Sequence, residues 1–349
     1  MSITAHERPG VYSSYDASAA VSGATGRKYV GLAVQMSQPA QPVWQISRYE
    51  QAVTALSARA ARLVWLLLNN GAAQVFVYPV EGTDKAAYQT AFDAMAARED
   101  LAVLVCDSTQ VEVQQALRDS VCSASSAQRE RIAVVGGAVG ETVSQLVERA
   151  GDINSERVVL TAPGCVDEQG GADSGVQVAA AVAGAIAGQA DPAVPLGGAV
   201  LTGLYGLDGR YEDGELDALI RGGVTAVEEL SGVVSVVRGV TTRTTTDGAA
   251  DTTWRDLSSI LVVDDVIPAI RNALKSRFRR AKNTAQTRGA IRSQVVLELE
   301  NKLAREIIAG YDGVSVQQDS QEPTRCLVDF SFTVTHGINQ IWLSAHITI

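Results

Sequence analysis

Histidine is the usual base in nucleophilic hydrolysis, and this chain holds three, His6, His336 and His346. All stand outside the long middle section whose apolar runs read as a layered sheet, so no Ser-His-Asp triad can be assembled within that layer. They also lack the helical spacing of a metal pair, and structural or solvated roles account for them. Gly136-Gly137-Ala138-Val139-Gly140-Glu141-Thr142 follows an apolar strand and opens a helix, where backbone N–H groups can cradle a phosphate. Its outer glycines enclose three residues rather than four, and Glu141 stands where the phosphate-binding lysine belongs. A carboxylate there repels phosphate, so the expected role is a tight strand-to-helix turn. Asp107 lies just past the strand candidate Leu101–Val105, a position from which carboxylates bind metals or cofactors. No second convergent acid accompanies it, and a helix N-cap or turn is the expected role. Cys106, Cys122, Cys165 and Cys326 form no C-x-x-C pair and read as buried thiols of a reducing compartment. No catalytic residue, cofactor or metal site is expected.

Charge supplies the remaining candidate. The chain carries a formal −10, which argues against nucleic acid or an anionic membrane as principal partner. Between Asp264 and Arg292, however, eight basic residues face two acidic ones, a local +6 that leaves −16 elsewhere. Arg271, Lys275, Arg279 and Lys282 follow helical spacing about one residue round from an apolar stripe of Ile267, Ile270, Leu274 and Phe278. Such a face is either simply solvated or docks on an acidic partner surface.

The elements that must position these residues follow from periodicity. With 349 residues, 46% of them hydrophobic, the chain can build one large domain and a smaller one. Val53, Leu56, Ala60, Leu63 and Leu67 share one face of a helix predicted from Tyr49 to Asn69, and Gln74–Tyr78 reads as the strand that follows. Helical segments (84–98, 111–123, 141–150) then alternate with continuous apolar runs (Leu101–Val105, Ile132–Val135, Arg157–Leu160). Runs unrelieved by polar residues mean strands covered on both faces, and their spacing fits right-handed crossovers. A small-residue helix from Val176 to Gly188, a helix from Asp213 to Ile220 and a hairpin across Leu230-Ser231-Gly232 complete a mostly parallel, layered α/β body. Thr241–Gly248 reads as a linker. Val295, Leu299, Leu303 and Ile307 mark a second C-terminal helix, and Val328, Phe330, Phe332 and Val334 alternate as a strand. After a turn at His336-Gly337, Ile341, Leu343, Ala345, Ile347 and Ile349 alternate again.

The first twenty or so residues, with Pro9, Gly10, Val11, Tyr12 and Tyr15, show no helical period and read as an extended arm. An arm at one end and a strand pattern at the other either pair within their own subunit or seek a partner on another chain by edge addition. No charged-then-apolar leader opens the sequence, and Val176–Ala190 is too short for a membrane span, so a cytoplasmic protein without membrane insertion is expected.

Several segments, in order, resemble the contractile phage tail sheath family: Arg8-Pro9-Gly10-Val11-Tyr12, Leu66 to Val77, Glu156 to Gly164 with the Ala/Gly-rich Val178 to Gly188, and Val236 to Thr242 followed by Leu261 to Asp265. The resemblance implies a compact member, similar to the sheaths of contractile bacteriocins and simple myophages, whose α/β body is subtilisin-like in shape only. It implies an N-terminal arm over 1–22, a body over 23–248, a smaller α+β C-terminal domain near the tube over 249–340 and a donated strand over 341–349. It also implies six-membered rings stacked helically round an inner tube, baseplate and tail terminator partners, no direct contact with nucleic acid, and a tail particle or virion assembled in the bacterial cytoplasm. Under that resemblance Pro9–Tyr15 and Ile341–Ile349 lend strands to neighbouring subunits, and the Arg271–Lys282 helix faces the tube. The competing readings are an α/β nucleotide-binding protein or enzyme, and a different self-assembling tail or compartment component.

Overall fold

Seven residues, Tyr29–Gln35, form β1, the strand about which the body is built. Its apolar run went unnamed in the sequence reading. Gly31 at its centre lets Leu104 and Leu101 approach, since a Cβ there would meet Leu104 Cδ2 at 2.8 Å. The computed structural model describes residues 28–37, 39–339 and 344. After β1 the chain forms β2 (Trp44–Ile46), α1 (Tyr49–Ala55), α2 (Ala58–Asn69), β3 (Val75–Val80), α3 (Lys85–Ala96), β4 (Leu101–Cys106), α4 (Val111–Ser126), β5 (Ile132–Gly136), α5 (Val143–Ile153) and β6 (Val158–Ala162). A short ribbon of β7 (Cys165–Val166) and β8 (Ala172–Asp173) leads to α6 (Val176–Gly188), α7 (Asp213–Arg221) and the hairpin of β9 (Val224–Leu230) and β10 (Val233–Val236).

These strands make an eight-stranded sheet of order β10-β9-β6-β5-β4-β1-β3-β2. From β9 to β3 every pairing is parallel, and the edges β10 and β2 are antiparallel, in line with the predicted mostly parallel body. Alternate residues feed two cores. Val75 and Val77 of β3 join Val103 and Val105 of β4 under α2 and α6, whereas Phe76, Tyr78, Leu104 and Cys106 pack beneath α3, α4, α5 and α7. Helix α6 is buried nearly all round because it lies between α2 and the sheet. Its small residues permit that: a Cβ on Gly184 would meet the Leu67 carbonyl oxygen at 2.6 Å.

Two expectations are corrected here. The single helix over 49–69 is two, because Leu56 is extended and Ser57 caps α2, accepting the Ala60 N–H at 3.3 Å. Such a cap contributes about 1 kcal/mol. The break turns Val53 out to 56% exposure and buries Ala52 instead. Thr241–Gly248 is not a linker, since Thr241 and Thr242 are fully buried. The Thr242 hydroxyl donates to the Ser155 carbonyl and accepts its N–H, both at 3.0 Å, and the Thr241 hydroxyl donates to Trp254 O at 2.7 Å. Hydroxyls that satisfy buried backbone groups explain a threonine run that looks like spacer in sequence. A small hairpin of β11 (Thr245–Thr246) and β12 (Ala249–Ala250) follows.

The C-terminal unit comprises α8 (Leu257–Phe278), α9 (Ala285–Ala304), β13 (Ile308–Gln318) and β14 (Cys326–Val334). Leu257, Ile260 and Leu261 belong to the body core, against which Val263 also packs, while Val262, Val266 and Ile270 serve a third core with Val295 and Leu299. The stripe on α8 is thus Val262, Val266, Ile270 and Leu274, with Ile267 only half-buried at its margin. Pro268 inside α8 costs a helix about 3 kcal/mol, which the apolar contacts on both sides of it offset. Strand β14 alternates as predicted, but it pairs with β13, an antiparallel partner absent from the sequence reading.

Candidate assembly surface

In an open α/β sheet a ligand binds at the strand ends where the order reverses, here between β1 and β4. Asp107 sits at that point, 7% exposed. It accepts the Gln35 N–H at 3.1 Å and the Tyr88 hydroxyl, with Arg59 Nε at 3.9 Å. Burial first, then the Asp107 charge, push the Tyr88 hydroxyl far above its ordinary pKa, so it remains a donor. Burial pushes the neighbouring Cys106 thiol up to about 12, which makes it inert. Asp107 therefore ties two strand ends and α3 together.

The glycine turn at 136–142 is closed in the same manner. Glu141 Oε2 accepts the Ala138 N–H at 2.7 Å, and Arg149 Nε reaches both Glu141 oxygens at 3.0 and 3.1 Å. A Cβ on Gly136 would stand 2.2 Å from the Gly175 carbonyl carbon, so this glycine permits a backbone crossing. Among the described residues no group of His, Cys, Asp and Glu could hold a metal, and no helix is long and apolar enough to cross a membrane. His336 lies exposed beyond β14.

The basic segment separates into two parts. Arg271 is half-buried and bonds Glu130 at 2.7 Å, Arg277 bonds Gln294, Arg288 bonds Asn283 at 2.9 Å, and Arg292 bonds the Val314 carbonyl at 2.9 Å. Lys275, Arg279, Arg280 and Lys282 are exposed at the end of α8 and in the turn to α9, with no side-chain partner among the described residues. They form a basic tip. The predicted quartet is thus one body-facing residue, Arg271, and three tip residues.

A second exposed feature is the β13–β14 sheet itself. It has two strands, and neither outer edge meets a third strand among the described residues. One face rests on α8 and α9 through Tyr311, Val314, Val328, Phe330 and Phe332, while Leu327 stands 49% exposed on the other. The arm residues Pro9, Gly10, Val11, Tyr12 and Tyr15, and the strand residues Ile341, Leu343, Ala345, Ile347 and Ile349, lie outside the described residues.

Sequence reading missed the ion pairs that tie this segment to residues outside it. Glu130 bonds Arg271, Asp264 takes a bidentate contact from Arg157 at 2.8 and 3.0 Å, and Asp265 bonds Lys302. Burial works to raise the Glu130 carboxyl, but the Arg271 hydrogen bond, its own backbone N–H and the Arg271 charge hold it below its ordinary value. At Asp264 burial prevails and the carboxyl is raised. Separations of more than a hundred residues left no local signal for the pairs at Arg157 and Glu130.

Comparison with known proteins agrees with this architecture. Residues 81–242 match the phage tail sheath protein central domain and residues 249–348 the phage tail sheath C-terminal domain. The tail sheath protein of Bacillus phage SP01 is 27% identical over 281 residues. That match covers 76% of this chain and 46% of the phage protein, so the chain spans less than half of that relative's length. Among solved structures, the helical sheath of the anti-feeding prophage in its contracted state superposes with a TM-score of 0.74 at 17% identity, over 98% of this chain and 99% of that one. A sheath tail protein from Listeria innocua gives 0.70 at 13% identity, over 91% and 98%. At such identities the structures carry the fold alone. The two domain matches, in order and along most of the sequence, make the assignment: the chain belongs to the phage tail sheath protein family.

Proposed function

We propose that this chain is a structural, non-enzymatic subunit of a contractile sheath, whose copies stack as six-membered rings around an inner tube and shorten to drive that tube through a target envelope. The observation that carries this reading is the β13–β14 sheet, neither outer edge of which meets a third strand among the described residues. A two-stranded sheet is marginal alone and offers unpaired N–H and C=O groups along each side. Strands lent by other copies, Pro9–Tyr15 from one and Ile341–Ile349 from another, supply the missing neighbours and keep subunits tethered while bodies rotate. Self-filled strand ends at Asp107 and Glu141 speak against the alternative of a nucleotide-binding protein or enzyme.

The division of labour is an arm over 1–22, a body over 23–248, a C-terminal unit over 249–340 and a lent strand over 341–349. The basic tip of Lys275, Arg279 and Lys282 faces an acidic surface on the inner tube, with baseplate and terminator proteins at the two ends of the assembly. Neither nucleic acid nor a membrane interior is a direct partner, and the assembled subunit resides in a tail particle or virion put together in the cytoplasm. Negative-stain electron microscopy of the purified chain, beside a version lacking 341–349, tests the reading. Rings or hollow cylinders from the full chain, lost on truncation, are expected. A protein that remains monomeric with and without tube protein overturns it.

A further inference from the structure

Helix α8 changes allegiance along its length, from the body core at Leu257, Ile260, Leu261 and Val263 to the third core at Val262, Val266 and Ile270. Past Val263, the last α8 residue packed on the body core, a cavity of about 290 Å³ lies beside the helix, bounded by Lys28, Val103, Glu130, Ile132, Asp264 and Asp265. Two ion pairs cross from the body to α8 beside this gap. Arg157, just before β6, holds Asp264 through two bonds of 2.8 and 3.0 Å, and Glu130, just before β5, accepts from Arg271 at 2.7 Å. Strands β5 and β6 are neighbours, so both anchors lie on one rim of the sheet. Positions 264 and 271 are two helical turns apart on one face of α8. Between them lies Pro268, which has no N–H to return to the Asp264 carbonyl. The helix is therefore weakest between its two attachments.

We infer that Glu130 and Arg157 are positioning residues. With Arg271 and Asp264 they form a two-point clasp that fixes the angle of α8, and so the placing of the basic tip, against the body. The bidentate Arg157–Asp264 contact sets direction as well as distance, and the Glu130–Arg271 pair stops rotation about it. The functional consequence rests on the proposal that the tip meets the tube: a tip aimed by the clasp presents Lys275, Arg279 and Lys282 in one register in every copy.

The test is a distance distribution by double electron–electron resonance, with spin labels at Glu148→Cys on α5 and Arg280→Cys at the tip. Both sites are exposed, and Cys122 and Cys326 are replaced by Ser. The parent is expected to give one narrow distribution, and Glu130→Gln with Arg157→Met one roughly twice as wide once the bidentate geometry is lost. The charge swap Glu130→Arg with Arg271→Glu is expected to narrow it relative to Glu130→Arg alone. Should Arg157→Met unfold the protein, as a thermal melt will tell, Glu130→Gln with Arg271→Gln replaces it. A neutralised variant as narrow as the parent overturns the clasp. Co-assembly with tube protein is read separately: a broadened distribution with undiminished co-assembly upholds the clasp and removes the tip from the tube contact.

Discussion

Arg149 grips Glu141 through both carboxylate oxygens, and the same carboxylate accepts the Ala138 backbone N–H at 2.7 Å. The place an anion would take in a phosphate-binding turn is thus filled by an anion of the chain, itself neutralised from behind. Arg149 also donates to Thr109 O at 2.6 Å and to Gln114 Oε1 at 3.2 Å, so the pair braces three segments. Glu141→Ala leaves a guanidinium that is 7% exposed without its partner. The expected loss, read from the urea midpoint, is about 2–4 kcal/mol, at or below the range for breaking a buried pair. Calorimetry with ATP should show no binding before or after the change; heat of binding in either protein would revive the nucleotide reading.

Tyr88 and Asp107 give a pH dependence of defined sign. The Tyr88 hydroxyl has a folded pKa raised by burial and by Asp107, whereas in the unfolded chain it ionises near pH 10. Above that pH the unfolded state sheds a proton that the folded state keeps. The contribution of Tyr88 is therefore complete below about pH 10 and declines above it by about 1.4 kcal/mol per pH unit. Tyr88→Phe is expected to cost about 1–2 kcal/mol at pH 8 and progressively less between pH 10 and 11. A cost independent of pH in denaturation curves would contradict the Tyr88–Asp107 bond.

Much of the body was legible because local pattern and tertiary role coincide. Val176–Gly188 has one composition, small and apolar, and one place that accepts it, between α2 and the sheet. Where the two diverge, reading failed. The three-and-four spacing continues through Ser57, so nothing in the pattern distinguished one helix from two, and only the cap did. Strand β13 carries Gly310, Asp312 and Gly313 with register irregularities, so it lacks the clean alternation by which β14 was recognised. Thr241 and Thr242 are polar in composition but make buried contacts that depend on Ser155 and Trp254. The basic stretch was visible as charge. Which of its residues are held by hydrogen bonds depends on Glu130 in the body, Gln294 on α9 and other residues elsewhere in the sequence.

Three glycines separate packing from conformational freedom. Gly136→Ala drives a methyl into Gly175 backbone atoms at 2.2–2.5 Å, with no flexible side chain to yield. Overpacking of that kind costs about 1–3 kcal/mol or more. Gly140 has open space but a φ of +72°, and Ala there is expected to cost about 1–2 kcal/mol. Gly151 lies inside α5 with open space and no positive φ, so Gly151→Ala should stabilise by roughly 0.4–1 kcal/mol. Thermal melts of the three variants check the order Gly151→Ala above parent and Gly136→Ala lowest.

Charge reversal distinguishes the tip from the clasp. Lys275, Arg279 and Lys282 have no side-chain partner among the described residues, so changing all three to Glu should leave the melt within about 0.5 kcal/mol of the parent. On an acidic tube surface the same change replaces attraction by repulsion, and co-assembly with tube protein is expected to fall roughly tenfold or more, most steeply at low salt. Arg271→Glu behaves differently. It sets a carboxylate against Glu130, which is 14% exposed, and should lower stability by about 1–3 kcal/mol even where no tube is present. Loss of co-assembly in the triple variant with an unchanged melt places the tip on the tube. Undiminished co-assembly leaves these charges as solubility residues on a solvated turn, and the acidic partner must then be sought against another face.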